Sequence, residues 1–256
     1  MNKSIQENLA RSLAAETTDA IPFIPYMLQD FWALGLNPDV VLTLLERNLK
    51  RGEEVRVLDL ACGKGAISVV TAAKFKVHVT GIDLMNDFID VARMKAAEYG
   101  VNSMCDFIAG DINEHMGYQC GFCLVIFSAV GDVIGDIEQT LIKLKGVLVE
   151  GGIIIIDNYD YIDKHEAGLL FRRLGLELVD EINESQVRRN NLCSYELIEN
   201  SSLGMGAIIR RASELSEMFP AQHRIFEEYV QNQYNEYTYI ENQCPASKVV
   251  WCLKRI

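Results

Sequence analysis

Across 256 residues the chain carries a formal net charge of −12, with 49% hydrophobic and 23% charged residues. That balance fits an ordinary folded protein and excludes disorder and fibre; it also disfavours nucleic acid as a partner, because phosphate neutralisation draws on an excess of lysine and arginine. The first twenty residues are polar with scattered charge and no apolar run approaches the length of a bilayer crossing, so no secretory leader and no membrane span are expected, and the expected home is the cytoplasm.

The N-terminal region, residues 1–50, has helical periodicity broken early by Pro22 and Pro25. Its segment "IPFIPYMLQDFWALG" sets Tyr26, Phe31 and Trp32 on an expected helix. From residue 51 the pattern changes to regular alternation. Strand-like runs are "VRVLDL" (55–60), "VHVTGID" (77–83), "CDFIAGD" (105–111), "LVIFSAV" (124–130) and "GIIIIDN" (152–158). Between them stand the amphipathic segments "AISVVTAAKF", "DFIDVARMKAAEYG" and "IEQTLIKLKGVLVEGG", two of them closed by glycine. Only a brief helix is expected between the third and fourth strands.

Alternation of this kind requires a mostly parallel sheet covered on both faces, a Rossmann-like, doubly wound α/β fold. "DKHEAGLLFRRLG" continues it as a helix and "LELVDEI" as a sixth strand. About sixty residues with two or more helical patterns then separate that strand from a seventh, "SKVVWCLKRI". The expected organisation is a helical lid over 1–50, a core over 51–183 plus 246–256, and a helical insertion over 184–245.

Seven cysteines, an odd number in a chain with no export signal, argue for reduced thiols. Cys120-Gly-Phe-Cys123 has the spacing of a redox pair or half a zinc site, but no second pair completes a zinc set and the segment opens a strand rather than a helix, so no metal is expected. The basic pairs at Arg172, Arg188 and Arg210 are expected to be solvated helix faces.

Three acids end successive strands: Asp59, Asp83 and Asp111. In open parallel sheets, ligands bind outside the carboxyl ends of the strands where strand order reverses. Three adjacent strand tips span roughly 10 Å, the reach of an adenosine. A carboxylate at Asp83 suits the two hydroxyls of a ribose, Asp111 suits an exocyclic amine, and the glycine loop between Asp59 and the next helix admits close approach and offers N–H groups to an anion.

These segments resemble the class I S-adenosylmethionine-dependent methyltransferases of small-molecule type. "VLDLACGKG" matches that family's first strand and glycine loop in Asp59, Gly63 and Gly65; "GIDLM", "AGDI" and "LVEGGIIII" match its ribose strand end, its adenine turn and its glycine pair before the fifth strand. The resemblance covers roughly 55–183 and the last strand, which it implies runs antiparallel. It implies an enzyme that binds S-adenosyl-L-methionine through Asp59, Ala61, Cys62, Gly63, Gly65, Asp83, Leu84, Met85, Asp111, Ile112 and Ser128, and methylates a small molecule by in-line displacement. Two positions depart from the pattern. Ala61 replaces the first loop glycine, where its methyl is expected to narrow the site and to deny a positive φ. Cys123 stands where an acid is frequent.

Holding donor and nucleophile in line supplies roughly 7 to 11 kcal/mol without any acid or base, which accounts for the lack of a catalytic motif. Candidate proton acceptors are Tyr26, His115, Tyr159 and His165; candidate acceptor contacts are Tyr26, Phe31 and Trp32, with the tyrosines of the insertion as a second wall. The segment "FSAVGD" lacks the Asn-Pro-Pro-Tyr type signature of base-methylating relatives. A nicotinamide oxidoreductase would also use Asp83, but Ser68 stands where its third glycine belongs; a P-loop fails because Lys64 precedes Gly65. A non-catalytic cofactor-binding relative is the third reading. No motif encodes the acceptor or the subunit number.

Overall fold

The computed structural model describes residues 3–49, 54–117, 120–128, 133–157, 162–183, 202–242 and 249–256. Seven strands form one sheet: β1 Arg56–Leu60, β2 His78–Asp83, β3 Cys105–Ala109, β4 Phe122–Phe127, β5 Leu148–Asp157, β6 Leu176–Asn183 and β7 Val249–Arg255. Their order across the sheet is β3-β2-β1-β4-β5-β7-β6. Strands β1 to β5 are parallel, as the alternation implied, and β7 is antiparallel to both of its neighbours. The reversal of order between β1 and β4 creates the switch point at which such sheets bind ligands.

The run Ile153–Ile156 is buried on both faces, which suits a strand flanked by β4 and β7. Ile154 and Ile156 join an apolar cluster with Leu58, Phe122, Phe127, Leu144, Phe171 and Trp251, the last two meeting edge to face at 5.1 Å. Strand β5 starts at Leu148, four residues earlier than the pattern indicated. The glycine pair that looked like a stop is a bend within the strand. Gly151 takes φ +72°, and a Cβ on Gly152 would lie 2.9 Å from the Val149 carbonyl oxygen. The helices of this part are α3 Pro38–Asn48, α4 Ala66–Phe75, α5 Asn86–Glu98, the one-turn α6 Ile112–Met116, α7 Ile137–Val147 and α8 Lys164–Arg173. Asn37, Asp111, Asp136 and Asp163 cap four of them through side-chain oxygens, each satisfying an orphan N–H.

The chain divides into two compact units: Leu36–Ser194 with Ala246–Ile256, and Met1–Gly35 with Tyr195–Pro245. The division falls at Gly35 rather than near residue 50, because α3 buries Val40, Val41, Leu44 and Leu45 and packs on α4 and β6. The second unit holds α1 Lys3–Ser12, a 3-10 turn over Thr18–Phe23, the short α2 Ile24–Met27, α9 Ser202–Met218 and α10 His223–Asn242. Two stretches far apart in sequence are tied there by Phe23, edge-on to Phe219 at 5.3 Å and to Phe226 at 4.9 Å. A polar clasp adds to this: the Arg211 guanidinium forks onto the Asp30 carboxylate through two 2.8 Å bonds, and Arg210 reaches the same acid. No helix among the described residues is long and apolar enough to cross a membrane.

Candidate functional site

The carboxyl tips of β1, β2 and β3 share one edge, and the loop from Ala61 to Gly65 lies between the first of them and α4. Backbone bonds shape the loop: the Cys62 N–H donates to Ile82 O at 3.0 Å and the Gly65 N–H to Cys62 O at 2.9 Å. Three of its residues take positive φ: Ala61 at 56°, Gly63 at 53° and Gly65 at 71°. The expectation that Ala61 denies this conformation is wrong. Alanine adopts it at a cost of about 1 to 2 kcal/mol, and its methyl packs against the apolar cluster beneath the sheet edge. Gly65 and Gly81 are required for another reason. A Cβ on either would stand within 3.0 Å of the Phe107 ring, which fills the space beside the loop.

Asp83, at the tip of β2, is 8% exposed. Its Oδ2 accepts the Gly63 N–H at 2.8 Å and its Oδ1 the Met85 N–H at 2.9 Å. Burial pushes this carboxyl above its ordinary range, and the backbone donors pull it back. A carboxylate offers about four lone-pair positions, so acceptor capacity is left for a pair of hydroxyls.

Asp59 is 3% exposed and points the other way, into the start of α4. Its Oδ2 accepts the Ser68 hydroxyl at 2.5 Å, and the Ser68 N–H is bonded to it as well. Burial, with the Asp83 charge adding to it against the Ser68 bonds, pushes this carboxyl up to about 7. Burial raises the Cys62 thiol well above its ordinary range for the same reason, with both acids contributing.

Asp111 caps α6, its Oδ1 accepting the Asn113 N–H at 2.8 Å and the Asn113 amide at 3.2 Å. Beside it the half-buried His115 ring lies on Gly110, so close that a Cβ there would be 2.3 Å from Nε2. Met85 and Ile112 are buried, and Leu84 and Ser128 are half-buried. The strand tips therefore bring together Asp59, Cys62, Gly63, Gly65, Asp83, Leu84, Met85, Asp111 and Ile112; Ser128 stands just past β4, beyond the switch point.

The remaining candidates separate. Tyr26 lies on α2 in the helical unit, where its hydroxyl donates to the Glu214 carboxylate at 2.8 Å and its ring lies 5.6 Å from the Arg211 guanidinium. Phe31 and Trp32 are past the end of that helix, because α2 stops at Met27; Phe31 is buried. Of the insertion's tyrosines, Tyr229 is buried and Tyr234 is exposed. His165 is exposed on the first turn of α8, and Tyr159 lies outside the described residues. Cys120 is exposed, Cys123 is half-buried with its Sγ 3.9 Å from Glu54 O, and both are free thiols. Among the described residues no group of three potential ligands could hold a metal.

Sequence reasoning gave three residues of this edge no role. Ser68 carries the bonds to Asp59, and a hydroxyl in the first turn after an acidic strand end is the available signal. Lys64 is 3% exposed, with its ammonium 5.5 Å from the centre of the Phe88 ring; a charged residue between two glycines gives no hint of burial. Asp157, half-buried, closes β5 on the same edge beyond the switch point.

Comparison with known proteins gives the family and the fold. The family described as "Methyltransferase domain" matches residues 51–240. The chain is 27% identical over 108 residues to malonyl-[acyl-carrier protein] O-methyltransferase of Priestia megaterium, covering 42% of this chain and 38% of that protein. It is 30% identical over 125 residues to ubiquinone biosynthesis O-methyltransferase of Aromatoleum aromaticum, covering 48% and 51%. The chain thus spans about half or less of the length of these two curated relatives. Among solved structures, a SAM-dependent methyltransferase from Thiobacillus denitrificans in complex with S-adenosyl-L-homocysteine superposes with a TM-score of 0.66 at 20% identity, over 90% of this chain and 95% of that one. One from Geobacter sulfurreducens, with the same ligand, gives 0.65 at 20% identity over 91% and 96%. These two likenesses establish the fold.

Proposed function

This chain belongs to the methyltransferase-domain family, and on that footing we propose that it transfers a methyl group from S-adenosyl-L-methionine to a small-molecule acceptor. The observation that carries the reading is Asp83: a buried carboxylate at the β2 tip, fixed by the N–H groups of Gly63 and Met85, with acceptor capacity left for a vicinal diol. The residues fit the nucleoside on chemistry. Asp83 would hold its ribose, Asp111 and Ile112 its adenine, and the loop from Ala61 to Gly65 its amino-acid end. Once bound, the group supplies a methyl already activated on a sulfonium, so the chain's task is to bind, orient and exclude water.

The curated relatives' names cover both O- and C-methyl transfer, so the family does not dictate the acceptor atom. Substitution of Tyr26, His115, Tyr159 and His165 in turn tests the proton-acceptor candidates.

Calorimetric titration with S-adenosylhomocysteine and, separately, with NAD tests the binding half of this proposal. Saturable binding of the first and none of the second is expected; the reverse would replace methyl transfer with hydride transfer. Methyl release from labelled donor in a metabolite extract tests turnover, and binding without release would make the chain a non-catalytic relative.

A further inference from the structure

The turn after β3, to which the adenine is assigned above, spends most of its polar groups on itself. The Gly110 N–H donates to Asp83 O at 2.8 Å, the Asn113 N–H to Asp111 Oδ1 at 2.8 Å, and the N–H groups of Glu114 and His115 to Asp111 O at 3.1 and 3.0 Å. The Asn113 amide meets Asp111 Oδ1 again at 3.2 Å, so this carboxylate keeps Oδ2 as an acceptor. The His115 imidazole is the exception. It is half-buried, yet among the described residues no hydrogen bond or ion pair engages its ring. The Nε2–Cδ2 edge of that ring fills the volume a side chain at residue 110 would take: a Cβ on Gly110 would lie 2.3 Å from Nε2 and 2.7 Å from Cδ2. Gly110 does not take a positive φ, so its bareness serves space rather than backbone conformation. It is a socket for the imidazole, set directly against the backbone of the turn.

We propose that His115 reads the purine of the methyl donor, its imidazole N–H donating to a ring nitrogen of adenine while Asp111 Oδ2 accepts from the exocyclic amine beside it. This rests on the methyltransferase reading above. Adenine carries an amine donor flanked by ring nitrogens that accept, and an acceptor and a donor side by side on the protein complement that edge. Asp111 and His115 stand four residues apart, one at the cap and one in the single turn of α6, a spacing that brings side chains to the same side. A neutral imidazole has one N–H and a charged one has two, so a donor is on offer in either state. The placement also takes His115 away from the chemistry. Strand β3 lies two strands from β1, whose loop is assigned to the donor's amino-acid end, and that is about 10 Å along the sheet edge. A proton acceptor must come within about 3 Å of the nucleophile or act through one water. His115 is thus a specificity-determining residue for the base, not a proton acceptor.

The test removes the ring nitrogens one at a time. S-Adenosylhomocysteine and its 1-deaza and 7-deaza analogues, each with one of the nitrogens beside the amine replaced by C–H, are titrated into the whole chain by calorimetry. The parent should bind one of the two analogues about 3-fold to 30-fold more weakly than S-adenosylhomocysteine, because a donor is left unpaired. His115→Ala should bind S-adenosylhomocysteine more weakly by a similar factor and no longer distinguish it from that analogue. Gly110→Ala keeps the imidazole but evicts it from its socket, and should lose the same discrimination, so a readout survives if either variant fails to fold. A parent that binds all three ligands equally overturns the inference. So does a penalty that persists in the variants while all three ligands weaken together, since the ring would then only be packing. Both results leave the methyltransferase reading standing. Failure of the parent to bind S-adenosylhomocysteine overturns both.

Discussion

Replacing Asp83 by asparagine separates the two tasks that the structure gives this side chain. The carboxylate accepts the Gly63 N–H at 2.8 Å and the Met85 N–H at 2.9 Å. Asparagine keeps one carbonyl oxygen and presents an NH2 to the other donor, leaving a buried N–H unpaired, at a cost of about 1 to 3 kcal/mol in stability. Losing the charge also weakens the bonds to a ribose diol, each worth roughly 1.5 to 3 kcal/mol when the acceptor is charged, so cofactor affinity should fall by about 2 to 4 kcal/mol. That is a weakening of Kd by roughly 30-fold to 1,000-fold. Urea unfolding gives the first quantity and calorimetric titration with S-adenosylhomocysteine the second. The two must move together. A variant that loses stability yet binds S-adenosylhomocysteine as tightly as the parent would show that Asp83 is only a brace for the loop and that the ribose is held elsewhere.

Other outcomes follow from neighbouring residues. Because the Asp59 carboxyl is raised in the folded state from 3.8 to about 7, its contribution to stability is fully present below about pH 4 and is lost as pH rises through about 7. The loss is of the order of 4 kcal/mol, so Asp59→Asn should flatten the pH dependence of the unfolding free energy between about pH 4 and 7, and an unchanged slope would refute the burial argument. Thr71 on α4 is fully buried and its Oγ1 has no hydrogen-bond partner, so Thr71→Val should stabilise by about 1 kcal/mol, seen as a rise of about 2 to 4 °C in Tm. Gly81→Ala should destabilise by about 1 to 3 kcal/mol, since its Cβ would lie 2.7 Å from a Phe107 ring carbon and 3.0 Å from the Cys62 sulfur; adding Phe107→Leu should recover part of that loss in a double-mutant cycle.

The sheet was legible in the sequence because alternation of apolar runs and amphipathic segments has few other solutions. The strand-end acids were legible because the strands that carry them end in recognisable turns. What escaped depends on tertiary context. Ala61 reads as a residue that avoids positive φ, and only the apolar cluster taking its methyl makes the conformation tolerable. Asp59 and Asp83 read as equivalent strand tips, yet one faces the loop and the other faces α4, a difference set by side-chain direction rather than spacing. The expected helix through Phe31 and Trp32 failed because apolar periodicity records burial, and Phe31 is buried without being helical. The 1–50 boundary misplaced α3 because its apolar face gives no sign of which neighbour it covers.

Strand β7 fits between β5 and β6, although a long helical insertion separates it in sequence from both. Until β7 arrives, the isoleucine-rich β5 has one ladder of N–H and C=O groups without a neighbour, and β6 has nothing to join it to the sheet. The order of synthesis therefore works against the order of assembly. A growing chain must carry an open, sticky slot past the making of an entire helical unit, and shielding that slot is the kinetic problem this topology sets for the cell.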